Sequence, residues 1–429
     1  MICTMKKTIA IISFFVFFYL SLSAQIQFNS HFEDKTLRID FFHSGNYEHE
    51  YFTLDEYIKE GQWAGSLINL IDTFYYGEFM VKVFDEKSNQ LIYSRGFSSL
   101  FAEWRTTEPA HQACGNFQES VLIPFPKNEI RIEFYSRDSL DVFFKVEQMK
   151  FNPASKQYKI VQKPRYVITK IQGNADIHKA LDILLIPDGY TEAEKGKMLK
   201  DFAAISDYIL DCAPFDAYKQ AININGLIAF SQESGITDPE NKIVRKTLVE
   251  TSFNTINSDR YLMTLSHKLL RDVAAGIPYD QIIIVCNTDK YGGGGIYNFY
   301  STVAAGNTNA NFLVTHEFGH QLAGLGDEYY TSQVSVENFY KPTIEPWEPN
   351  LTTLVAFEKK WKNMLKADLS VPTLVSKENE TVVGVYEGGG YVEKGVYRPM
   401  IDCTMKSVHY NQFCPVCRRA ISLMLEYYR

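Results

Sequence analysis

The segment Ala310 to Tyr330 reads ANFLVTHEFGHQLAGLGDEYY, and its core, His316-Glu317-Phe318-Gly319-His320, constrains the chain more than any other stretch. Residues four apart share one face of an α-helix, so a helix here brings both imidazoles to a single point, where they can hold one metal ion. Glu317 is then next to the first ligand and poised over a water on the metal, not on the metal itself. With nine histidines in 429 residues, chance supplies roughly 0.01 copies of this pattern, so a helix that merely happens to carry these residues is a poor explanation. Gly324 follows His320 by four residues and can adopt the left-handed turn that ends a helix; Gly326 then precedes Asp327 and Glu328. A catalytic zinc needs a third protein ligand and an open fourth position, and a chain doubling back at Gly324 brings Asp327 or Glu328 to the ion.

The formal charge of −8 and pI near 5.7 argue against nucleic-acid binding, which requires a concentrated basic surface. Lys6 and Lys7, the apolar run Ile9 to Leu22, and small residues at Ser23 and Ala24 read as a secretory signal peptide over residues 1–24. The run is shorter than the roughly 20 residues that span a bilayer, and no second one follows, so no integral membrane segment is expected after cleavage. The mature protein is expected to be exported: periplasmic, on the cell surface or secreted. Its six cysteines include Cys403, Cys414 and Cys417, whose C-x10-C-x2-C spacing invites a zinc–thiolate reading with His409 as the one nearby fourth donor. Export favours a bridge or buried thiols instead, and that is the expectation.

From residue 25 to 151, short apolar and aromatic runs alternate with turn signals. Phe79 to Phe84, the turn 85–89 and Leu91 to Tyr93 read as a hairpin, and Val121 to Phe125, Ile130 to Phe134 and Val142 to Val146 continue the pattern. An antiparallel β-sandwich is expected. Residues 152–165, polar and punctuated by Pro153 and Pro164, are read as a linker. Over 166–429 strands and helices alternate: Leu181 to Ile186 is a compact apolar strand, Thr191 and Glu194 form a capping box for a helix to about Leu210, and Gln281 to Cys286 is a second strand. The run Gly292 to Gly295 lacks the Lys-Ser/Thr of a phosphate loop, so it is read as a place where another backbone approaches closely.

H-E-x-x-H-x-x-x-G-x-x-D resembles a metzincin-type zinc helix with one extra residue before the glycine and a carboxylate in place of the third histidine. The fuller string HEFGHQLAGLGDEYY is similar to the metallopeptidase family named for an immunoglobulin A peptidase. Asp188-Gly189-Tyr190-Thr191, Glu348-Pro349-Asn350 ahead of Lys360-Trp361, Tyr386 to Tyr391 leading to Tyr397-Arg398-Pro399, Cys403-Thr404-Met405 and Phe413 to Cys417 fit the same family. The likeness covers roughly Tyr166 to Arg429, and the leading β region is similar to an accessory domain that some members carry.

The resemblance implies an α/β zincin domain of metzincin character behind the β-sandwich, one catalytic zinc held by His316, His320 and Asp327, Glu317 as general base, and Met405 as the apolar floor of a Met-turn. Glu328 stays open as the third ligand, as does a more distant glutamate, Glu337 or Glu345. Some metzincins place a tyrosine two residues after the methionine to assist the transition state. That position is Ser407 here, which leaves His409 and Tyr410 as candidates, while Arg398 and Glu387 are candidates for lining the cleft. The expected activity is that of an exported zinc endopeptidase acting on polypeptide or glycoprotein substrates, bound in extended form along an edge strand near Gly292 to Ile296. A non-catalytic binding or adhesion protein on the same fold is the competing class, and a zinc hydrolase of glycans or small amides is a third.

Overall fold

The computed structural model describes residues 25–161, 163–330 and 340–429. The expected signal segment and Glu337 lie outside them. The first part of the chain supplies β1 (Phe32–Gly45), β2 (Glu50–Lys59), β3 (Phe79–Asp85), β4 (Leu91–Phe97), β5 (Gly115–Pro126), β6 (Ile130–Arg137), β7 (Phe143–Phe151) and β8 (Lys159–Ile160). They form two four-stranded sheets in the orders β5-β1-β2-β8 and β4-β3-β6-β7, antiparallel except where β8 pairs with β2. Alternation turns one face of each sheet inward, so Phe41 and Phe52 of one sheet meet Phe134 of the other with ring centroids 5.0 and 4.8 Å apart. This is the expected sandwich. The β3–β4 hairpin closes where Asp85 Oδ1 accepts the Ser88 amide and Asn89 takes φ +55°. Two short helices, Leu100–Trp104 and Glu108–Gln112, were not legible, since neither is long enough to show a helical period.

The second part adds β9 (Val167–Gln172), β10 (Leu181–Asp188), β11 (Ile222–Ile228), β12 (Gln281–Cys286), β13 (Gly293–Gly295) and β14 (Tyr300–Ala304) in a six-stranded sheet of order β13-β14-β12-β10-β11-β9. Its central strands β14, β12, β10 and β11 are parallel, and β13 and β9 are antiparallel edges. The parallel centre requires crossovers, and β10 reads LDILLIPD, buried at every position as a strand covered on both faces must be. The Thr191–Glu194 capping box forms, and the helix after it, Lys195–Leu210, buries Met198, Phe202, Ile205 and Ile209. The site helix Ala310–Ala323 and the C-terminal helix Pro415–Tyr428 join the same core through Leu313, Val314, Phe318, Ile421 and Met424. A hairpin of β15 (Tyr386–Gly389) and β16 (Val392–Arg398) stands apart from the large sheet.

A polar and aromatic seam joins the two parts. Arg38, fully buried, bonds Asp40 and Asp272 at 2.6 Å each, and Arg95 lies 4.5 Å from the Tyr427 ring centroid with Nη2 3.2 Å from the Tyr428 hydroxyl. The sandwich therefore forms one wall of what lies above the site helix.

Candidate metal centre

The site helix ends where Gly324, at φ +59°, caps it in the left-handed region. This reversal places the Leu325 carbonyl 2.5 Å from His320 Nδ1, and the Thr404 carbonyl lies 3.0 Å from His316 Nδ1. Each imidazole thus donates its Nδ1 proton to a backbone oxygen and turns Nε2, as an acceptor, into the site. The same reversal carries Asp327 back to the histidines: Oδ1 is 3.1 Å from His316 Nε2 and 3.4 Å from His320 Nε2, and the two Nε2 atoms are 3.1 Å apart.

Bonds of about 2.0–2.1 Å to a tetrahedral zinc put neighbouring donors about 3.3–3.4 Å apart, so the three atoms fit one ion. Three such atoms that converge in a buried place repel unless a cation or a proton sits among them. The Tyr391 hydroxyl donates to the other oxygen, Oδ2. Asn350 holds the returning loop by bonding both the amide and the carbonyl of Gly326 at 2.8 Å. Glu328 is turned away from the histidines, into a cluster of cysteines. Glu345 is engaged elsewhere, accepting from Thr353 and the Ala356 amide.

Charge at the site follows from this packing. Burial acts to lower the His320 pKa, but the charge and hydrogen bond of Asp327 outweigh it and raise it to about 9. Burial would raise Asp327, yet the two imidazoles hold it well below the usual carboxylate range. Glu317 is pushed upward, mainly by burial, and the imidazoles oppose the shift only in part. Its carboxylate also comes within 4.8 Å of both imidazoles.

The glycine run does allow a close approach. A Cβ on Gly295 would lie 2.2 Å from the Glu317 carbonyl oxygen, and one on Gly293 would meet the Glu317 side chain at 3.1 Å. β13 is an edge strand, but its outer side is partly taken at Gly293, which bonds the Arg260 carbonyl and the Leu262 amide. The continuous free edge near Gly292 to Ile296 is therefore shorter than the sequence suggested. Met405 is fully buried beneath the site helix, its sulfur 3.0 Å from where a Cβ on Gly319 would stand.

Above these residues opens a cleft of about 650 Å³, lined by Glu317, His316, His320 and Asp327 and by Glu78, Ser99 and Glu103 of the sandwich. Glu103 is raised to about 7 by burial, although part of its surface faces the cleft. His409 and Tyr410 are exposed and do not line it; Tyr410 offers its carbonyl to Thr404. Arg398 is buried and bonds the carbonyls of Glu387 and Gly388, which holds the hairpin, and neither Arg398 nor Glu387 lines the cleft. Sequence reasoning missed Tyr391, Tyr329 and Arg260, all on the cleft wall, because their proximity is created by the hairpin and by the loop before β13. The quoted string Tyr386 to Tyr391 carried a trace of it.

The family model described as IgA Peptidase M64 matches residues 169–381 and 373–425, and a second model, Peptidase M64 N-terminus, matches residues 27–146. No curated protein matches the chain. The first model covers the site helix, the returning loop and the methionine segment that converge here, and the second covers the sandwich that walls the cleft. The chain belongs to the IgA peptidase M64 family of metallopeptidases.

Proposed function

We propose that the protein is an exported zinc endopeptidase in which His316, His320 and Asp327 hold the ion and Glu317 is the general base. The observation that carries this reading is the convergence of Nε2, Nε2 and Oδ1 within 3.1–3.4 Å at the floor of a cleft large enough for a peptide. Zinc in such a set supplies Lewis acidity toward a carbonyl and brings the pKa of a water toward about 7.

The chain's own groups do the rest. Thr404 and Leu325 fix the tautomers of the two imidazoles, and Tyr391 aims Asp327. Glu317, beside His316 on the cleft floor, accepts the proton of the attacking water and delivers it to the leaving nitrogen. Arg260, on the cleft wall and bonded to Tyr329, supplies positive charge as the carbonyl oxygen becomes an oxyanion. Met405 is the apolar floor, and His409 and Tyr410, exposed beyond the cleft, are not assigned to the transition state.

The substrate is a polypeptide or glycoprotein met outside the cytoplasm. N-terminal sequencing of the mature protein should begin near Gln25. Unfolded and glycosylated secreted proteins incubated with the enzyme should yield new peptide termini by mass spectrometry, and chelation should abolish them. A protein that binds such chains but never cuts them would be the adhesion protein instead.

A further inference from the structure

Behind the catalytic residues, Glu328 meets three cysteines from two other segments. One donor atom from each of Glu328, Cys403, Cys414 and Cys417 lies within 4.8 Å of the others, and all four residues are 0–2% exposed. The Sγ atoms of Cys403 and Cys417 are 3.8 Å apart, and Cys417 Sγ is 3.2 Å from Glu328 Oε1. Zinc–sulfur bonds of about 2.3 Å in a tetrahedron give sulfur–sulfur edges of about 3.8 Å, so the spacing is that of ligands around one ion. No pair among these cysteines is bridged.

Two further features favour a cation. Glu328 Oε2 is fully buried and has no hydrogen-bond partner among the described residues, a costly state for a carboxylate among thiols. Backbone amides donate to the sulfurs, from Cys414 to Cys403 Sγ at 3.3 Å and from Cys417 to Cys414 Sγ at 3.4 Å, as they do to thiolates. Arg398 lies near enough for its charge to act on Glu328, which offsets part of the negative charge that three thiolates and a carboxylate leave around a dication.

We propose that Cys403, Cys414, Cys417 and Glu328 form a second, structural zinc site. Soft thiolates with one carboxylate in a closed four-donor set suit zinc, and with every position filled by protein the ion has no catalytic vacancy. The fourth donor is not the exposed His409, which is the only one the sequence suggested; it comes from the loop returning from the site helix, more than seventy residues upstream of Cys403 in the chain. The site acts by position. Glu328 follows Asp327, its amide donates to the Met405 carbonyl at 2.7 Å, and Cys403 precedes Thr404, whose carbonyl orients His316. One ion thus ties the third-ligand loop and the Met405 segment to the start of the C-terminal helix.

Metal content of the full mature chain tests this independently of catalysis. The His316→Ala/His320→Ala variant should retain one zinc per chain, and loaded with cobalt it should show a thiolate-to-cobalt charge-transfer band. Wild type should hold two zincs, and Cys414→Ser/Cys417→Ser should hold one fewer. If the cysteine variant fails to fold, the cobalt spectrum of the histidine variant decides alone. A histidine variant without tightly held metal, one holding iron, or a disulfide among the three cysteines would overturn the proposal. One zinc in wild type that survives in the histidine variant would uphold this site while removing the catalytic one.

Discussion

The Tyr391 hydroxyl donates to Oδ2 of Asp327, and the opposite oxygen of that carboxylate is the one that meets His316 and His320. On the proposed ligand set, Tyr391 therefore selects which oxygen of Asp327 faces the ion. Tyr391→Phe should keep the fold and weaken zinc binding by about 10–100-fold, the usual effect of losing a partner behind a metal ligand. Asp327→Ala should weaken it further. Chelator competition on both variants checks the order, and an unchanged affinity in Tyr391→Phe would show that the hydroxyl does not orient the ligand.

Gly319 sits on the site helix between the histidines, against Met405 and Phe413, where an added methyl would be met tightly. A Cβ there would stand 3.0 Å from the Met405 sulfur and 3.1 Å from the Phe413 ring. Gly319→Ala should destabilise the protein by about 1–3 kcal/mol through overpacking, despite the better helix propensity of alanine. Met405→Leu, which conserves volume, should cost less than about 1.5 kcal/mol and leave zinc stoichiometry unchanged. Denaturant midpoints and metal content of the two variants separate packing from ligation.

Glu348 is buried at the cleft edge, accepts the Tyr340 hydroxyl at 2.7 Å, and is raised to about 7 by burial and by the negative charge of Glu78. A carboxyl whose folded pKa exceeds its unfolded value near 4.5 binds its proton more tightly when folded. Its contribution to stability is thus fully present below about pH 4.5 and is lost as pH rises through about 7. Glu348→Gln mimics the protonated form, so its stability relative to wild type should rise between pH 5 and pH 8, by up to about 3 kcal/mol. A difference that stays constant with pH would place Glu348 in an ordinary solvated state.

Arg95 is the sandwich's anchor on the catalytic part, packed among Tyr297, Tyr427 and Tyr428 with Asp72 3.7 Å away. Arg95→Ala leaves Asp72 without its cation and opens the seam, at a cost of about 3–5 kcal/mol for breaking a buried pair. Since Glu78, Ser99 and Glu103 wall the cleft from the sandwich side, KM should rise more than kcat falls. Peptidase assays beside thermal melts check this, and an unaltered melt would mean that Arg95 does not hold the two parts together.

The site helix was legible because its chemistry is local: two histidines and a glutamate at helical spacing announce themselves, and Gly324 marks the reversal that returns Asp327. The sandwich was legible for a similar reason, since period-two aromatic runs and polar turns are short-range signals. What stayed hidden depends on contacts across the chain. Glu328 looked like a rival to Asp327 because the two are adjacent. Only the fold shows that they face opposite ways, one to the histidines and one to Cys417. Glu103 became part of the cleft through docking of the sandwich, and Tyr391 through a hairpin that pairs with nothing else in the large sheet. His409, placed close to Met405 by sequence alone, is carried out to the surface by the turn after Ser407.

The most direct test of the account is turnover in Glu317→Gln. The substitution keeps side-chain shape and leaves His316, His320 and Asp327 untouched, while removing the group that accepts the water's proton. Zinc content and peptide binding should match wild type, and kcat should fall at least about 10²-fold, the usual worth of general acid–base catalysis. Equal cleavage by the variant and wild type, at equal zinc content, would contradict the assignment of Glu317 and with it the proposed active site.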